Sequence, residues 1–147
     1  MKQEDKELLL LHDICARLPY GVKIDVTYSK DSGSSLRARL CYEGINILTT
    51  NILWLFQQSE VYIKPYLFPL SSMTEEQKIE CFKGTDIELD EHNEIWSTFP
   101  ISNSDIVLTN LDNWLKVINW LNENHFDYRG LIEKSLALDA TNLGIYE

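Results

Sequence analysis

Positive charge is scarce in this chain: 13 Lys and Arg stand against 23 Asp and Glu in 147 residues, a formal charge of −10. A field of that sign repels phosphate backbones and argues against direct nucleic-acid binding. Cysteine is scarce too. Cys15, Cys41 and Cys81 are three in number and form no close pair of metal-knuckle or redox spacing, so a disulfide scaffold is excluded and reduced thiols in a cytoplasmic compartment are expected. The 6 glycines are scattered singly, and none follows a strand at nucleotide-binding spacing, so no phosphate loop is present. His12, His92 and His125 lie far apart in sequence and give no ligand spacing, so neither a metal nor a cofactor is expected. Thr49, Thr50 and Asn51 interrupt the longest apolar run before it reaches spanning length, and the acid-rich start Met1–Glu7 does not read as a signal peptide. No membrane contact is expected.

What remains is an ordinary globular composition. Apolar residues at 44% and charged residues at 24% lie far from the disordered regime, and the length suits a single domain over residues 1–147 with a core of its own. The acidic excess is uneven: between Glu75 and Glu94 eight acids face only Lys78 and Lys83, a local charge of −6. Within it, Asp86, Glu88, Asp90, Glu91 and Glu94 alternate with aliphatic and polar residues. A calcium loop needs a central glycine that this stretch lacks. It reads as a solvated edge, or as the contact surface for a protein partner.

The periodicity predicts an α+β fold. Residues 3–18 read as a helix with an apolar stripe of Leu8, Leu11, Cys15 and Leu18, with Ile14 beside it and Asp13 opposed. Pro19-Tyr20-Gly21 ends that helix. Val22, Ile24, Val26 and Tyr28 alternate with polar residues, as do Leu36, Ala38, Leu40 and Tyr42, which predicts a hairpin with Arg37 and Arg39 on one face. Strands are expected at 45–50 and 59–64, and a strand or buried turn at 52–56. Pro65 and Pro69 argue for a fixed loop rather than a central strand. Thr74 and Gln77 stand at capping-box spacing before a helix with Ile79 and Phe82 inward and Gly84 as its stop. Trp96 and Phe99 are expected to plug the core. The last long helix runs over 108–124, with Leu108, Leu111, Leu115, Ile118 and Leu121 in register and Trp114 and Val117 beside them. Asn122 and Asn124 stand in for a closing glycine. The expected architecture is an N-terminal helix, a small antiparallel sheet of four or five strands, and C-terminal helices on one sheet face.

The densest polar run follows: His125, Asp127, Tyr128, Arg129 and Gly130. Its structural reading is a clasp. Asp127 caps a short helix from Tyr128, Arg129 makes a two-pronged ion pair, and Gly130 admits another backbone. Its catalytic reading is a small enzyme with an acid/base or anion site on His125 and Arg129, for which the sequence offers no supporting residues.

Three stretches resemble a family of small proteins, without assigned activity, found in gut bacteria and in their phages and mobile elements. They are Leu8–Leu10 with Asp13 and Cys15–Lys23; Lys64–Leu67 with Pro69–Glu76; and His125–Lys134 with Leu136–Leu138. The chain departs from the pattern at Phe68, where the family has arginine, at Ser135, where it has glycine, and at Thr141, where it has proline. The resemblance implies a phage or mobile-element context and transfers no catalytic residue. The leading expectation is a non-enzymatic accessory protein that binds another protein through the acidic stretch. The alternative is an acidic nucleic-acid mimic that inhibits a defence nuclease.

Overall fold

A computed structural model describes residues 1–28, 43–58, 61–85 and 111–147. Its elements are α1 (Gln3–Arg17), β1 (Lys23–Tyr28), β2 (Gly44–Ile47), β3 (Val61–Pro69), α2 (Glu75–Phe82), α3 (Leu111–Glu123), β4 (Phe126–Asp127) and β5 (Leu138–Asp139). The fold is α+β, as the periodicity predicts. The sheet runs β2-β1-β3-β4, with β5 also paired to β3. Its two long ladders are antiparallel, while β4 and β5 add short parallel ladders, so the sheet is mixed rather than purely antiparallel. Among the described residues, no helix is long and apolar enough to cross a membrane.

Alternation in β1 sets the main core. Val22, Ile24 and Val26 are completely buried, with Tyr28 nearly so, and each aliphatic side chain contributes about 1.5–3 kcal/mol by burial. Ile14, Leu48, Ile52, Leu55, Ile63, Leu67, Leu131 and Ala137 complete this cluster. A second cluster joins α2 and α3 at the β3–β4 end of the sheet, through Met73, Cys81, Phe82, Trp114, Val117, Leu121 and Phe126.

Several expectations are corrected. The 65–69 segment is strand, not loop. Pro65 is the last β3 residue in register with β1, opposite Ile24, and pairing with β5 begins at Tyr66. The missing amide therefore falls where the strand changes partners, and Pro69 closes the strand. Of the two readings left open for 52–56, the turn is the one observed: Leu53–Gln57 forms a 3-10 helix. On α1, Leu8, Leu11 and Cys15 are exposed, and the buried face is Asp13, Ile14 and Arg17. On α3 the buried line is Trp114, Val117 and Leu121, while Leu115 faces out. On α2, Cys81 and Phe82 are buried and Ile79 is exposed. The hairpin partner with Arg37 and Arg39, the acidic residues Asp86, Glu88, Asp90, Glu91 and Glu94, and Trp96 and Phe99 lie outside the described residues.

Helix ends follow local chemistry. The Thr74 hydroxyl accepts from the Gln77 amide, and the Gln77 carbonyl oxygen accepts from the Thr74 amide, a complete capping box. The asparagines do not supply the left-handed residue after α3; His125 does, with φ 62°. The turn at 130–136 has the Schellman pattern: the Leu136 amide donates to Leu131 and the Ser135 amide to Ile132. Ser135 holds the left-handed position at φ 60°. It therefore occupies a conformation that glycine adopts without steric cost. Ser135→Gly should raise unfolding stability by roughly 0.5–1 kcal/mol in urea titration, the steric relief exceeding the added unfolded-state entropy.

Candidate functional site

Two buried charges sit behind the polar run that the sequence singles out. Asp13 and Arg17, one turn apart on α1, are each 0% exposed. Arg17 Nε donates to Asp13 Oδ2 at 2.8 Å and Nη2 to Oδ1 at 3.1 Å. Nη2 also donates to the Phe126 carbonyl at 2.7 Å, and Nη1 to the Leu121 carbonyl at 3.4 Å. Leu121 lies in the last turn of α3, whose carbonyls lack helical partners, so the guanidinium both pairs its carboxylate and caps a remote helix.

The two-pronged ion pair expected of Arg129 is thus made by Arg17. Arg129 Nε lies 3.6 Å from Asp13 Oδ1, with its side chain partly exposed, and Nε and Nη2 donate to the Tyr128 hydroxyl. Both guanidinium groups lie over the Tyr128 ring, Arg17 at 5.6 Å and Arg129 at 5.2 Å from its centroid. Asp127 caps a turn rather than a helix, its two carboxylate oxygens accepting from the Leu131 and Ile132 amides at 2.8 Å each. Gly130 does not meet another backbone. It is glycine because φ is +66°, and a Cβ there would approach the end of the Lys134 side chain. Lys134 Nζ donates to the Arg129 and Gly130 carbonyls.

His125 faces a different environment. Its ring stacks on Tyr146 at 4.2 Å, and its Nδ1 has no hydrogen-bond partner among the described residues. Burial, aided by the nearby Arg17 charge, lowers the imidazole pKa to about 4. Tyr146 is anchored by its hydroxyl, which donates to the Tyr66 carbonyl and accepts from the Lys23 amide. Burial pushes its phenol up to about 12, the Lys23 amide and the Arg17 charge only partly offsetting that rise. A cleft of about 470 Å³ adjoins this stack, walled by residues from β3, the start of α2, the end of α3 and the C-terminal segment. His125 lines it and Arg129 does not. An acid/base site that uses both residues is therefore not assembled there.

A second surface lies on the outer face of the sheet. Ile45 and Ile47 on β2 are 58% and 55% exposed, and Tyr62 on β3 is 57% exposed. They flank Lys23, Asp25 and Thr27 of β1, which they pair with in the ladder. Asn46 points the other way and donates to the Gly44 carbonyl. The Leu48 amide bonds the Val22 carbonyl, and Leu48 is buried, which holds the strand in this register.

Sequence reasoning opposes Asp13 to the apolar stripe and misses the ion pair, although the four-residue spacing of Asp13 and Arg17 is its signal. Tyr146 carries no local signal, since its partners lie 80 and 123 residues away. Among the described residues no group of His, Cys, Asp and Glu is arranged to hold a metal ion. No protein-family model, curated protein or solved structure matches the chain.

The pKa of His125 fixes the sign of a pH effect. Its folded value of about 4 lies below the ordinary 6.5, so between these values the unfolded chain binds a proton that the folded chain refuses. Its contribution is complete above pH 6.5 and is lost as pH falls towards 4, by roughly 3 kcal/mol. His125→Asn keeps a side chain that tolerates positive φ and removes the titration. The difference in stability between wild type and variant, followed by urea unfolding from pH 7 to 4, should shrink or reverse across that window. A constant difference would contradict the account.

Proposed function

We propose that the protein acts by binding another protein, and that the outer sheet face around Ile45 and Ile47 forms the apolar part of its contact. One observation carries this reading: a four-residue strand turns both isoleucines to solvent and its asparagine inward. Burial alone favours the opposite register, because two isoleucines outweigh one leucine by an additional side chain of about 1.5–3 kcal/mol. Exposed apolar side chains rimmed by charge, here Lys23, Asp25 and Lys64, have the composition of a protein interface. The acidic stretch from Glu75 to Glu94 supplies a negative field that steers a basic partner. The chain's net charge of −10 disfavours a phosphate-bearing partner. A phage or mobile-element setting, which the three resembling stretches suggest, accommodates an accessory protein of this kind.

Affinity purification from cells that make the protein, with chemical crosslinks mapped by mass spectrometry, tests this. Ile45→Lys with Ile47→Lys should reduce recovery of the crosslinked partner at least tenfold while circular dichroism stays unchanged. Charge reversal at Glu88, Asp90 and Glu91 should slow capture and weaken its salt dependence. Full recovery by the isoleucine variant would overturn the reading.

A further inference from the structure

We propose that the cleft beside His125 binds a short, uncharged oligosaccharide. It stands apart from the outer sheet face, and neither reading depends on the other.

The size and charge of the cleft narrow the ligand class. About 470 Å³ falls within the range of small-molecule sites. Among the described residues no Lys or Arg lines it and Glu123 is the one formally charged lining residue, so a phosphate or carboxylate ligand finds no counter-charge among them. A neighbouring depression shares Gln77, Glu123 and Asn124 with it and adds Trp120, Glu76 and Glu80. The two share three lining residues and so adjoin one another.

The residual hydrogen-bonding capacity fits hydroxyl groups. Gln77 spends its carbonyl oxygen on the Thr74 amide, which leaves the Nε2 donor. Asn124 spends its Nδ2 on the Trp120 carbonyl, which leaves the Oδ1 acceptor. A hydroxyl donates and accepts at once, so hydroxyl groups can satisfy both a donor and an acceptor in the same lining. Glu123 and, in the adjoining depression, Glu76 and Glu80 accept from further hydroxyls, and Trp120 offers an aromatic surface for sugar C–H groups. Trp120 is already stacked on Phe126 on one side, which holds its ring rigid.

The wall also carries unused polar atoms and backbone strain. His125 Nδ1 and Thr141 Oγ1 are both buried without a hydrogen-bond partner among the described residues. His125 and Asn142, at φ 62° and 60°, line the same cleft. Orphaned polar atoms and left-handed non-glycine residues concentrate where a ligand completes the structure.

Saturation-transfer NMR with the full chain tests the proposal, with maltose, cellobiose and N,N′-diacetylchitobiose as probes and inorganic phosphate and spermidine as comparisons. At least one disaccharide should receive saturation at millimolar concentration, and phosphate should not compete with it. Thr141→Val, which removes a hydroxyl without a partner among the described residues, and Glu123→Ala should each weaken that disaccharide at least tenfold, with unchanged circular dichroism. Absence of transfer to every disaccharide, displacement by spermidine in preference to sugar, or undiminished binding by both folded variants would overturn it.

Discussion

Asp13 and Arg17 are buried without solvent contact at the seam between two apolar clusters, and the rest of the structure is arranged around satisfying them. An uncompensated buried charge costs several kcal/mol, so this pair persists only because its remaining hydrogen bonds are made. Arg17 makes them across more than a hundred residues, to the Leu121 and Phe126 carbonyls. The consequence is topological. The N-terminal helix is tied to the end of α3 and to β4, and β4 in turn pairs with β3, Phe68 opposite Phe126. Phe68 stacks obliquely on Phe126 and on Tyr146, so the C-terminal segment closes over the same junction. A single guanidinium thus positions the walls of the His125 cleft without lining it.

Three stretches far apart in the sequence meet at this junction. Asp13 and Arg17 come from α1, Phe68 and Pro69 from the end of β3, and Phe126 from β4. The Phe68 ring packs between two aromatic neighbours, a place that a cation would fill only with a buried partner. Ser135 holds the left-handed turn position that glycine would occupy.

Much of the fold was legible because it rests on short-range periodicity. The β1 alternation, the Thr74–Gln77 capping box and the stop at Pro19-Tyr20-Gly21 are local chemistry, and the structure has each of them where the pattern places it. The helix faces were less legible. On α1 a buried ion pair displaced Leu8 and Leu11 from the core, because hydrophobic periodicity scores Asp13 and Arg17 as surface residues when their charges are counted singly. The β3 prolines misled for a related reason: a proline forbids one ladder hydrogen bond, and only the topology reveals that β3 changes partners there. The candidate cleft was half legible. His125 stood out by composition, but Tyr146, Thr141 and Gln77 join it only through tertiary contacts that no spacing encodes.

If the Asp13–Arg17 pair couples the two clusters, its loss should uncouple them. Hydrogen exchange measured across a urea series reads this directly, through the opening free energies of the slowest amides in β1 and α3 of wild type and of Arg17→Met. Wild type should show one common value for both elements. In the variant, α3 should open at a cost lower by about 3–5 kcal/mol, the usual consequence of breaking a buried pair, with β1 retaining more of its protection. Equal losses in both elements, or a loss below about 1 kcal/mol, would contradict the claim that this one pair holds the molecule together.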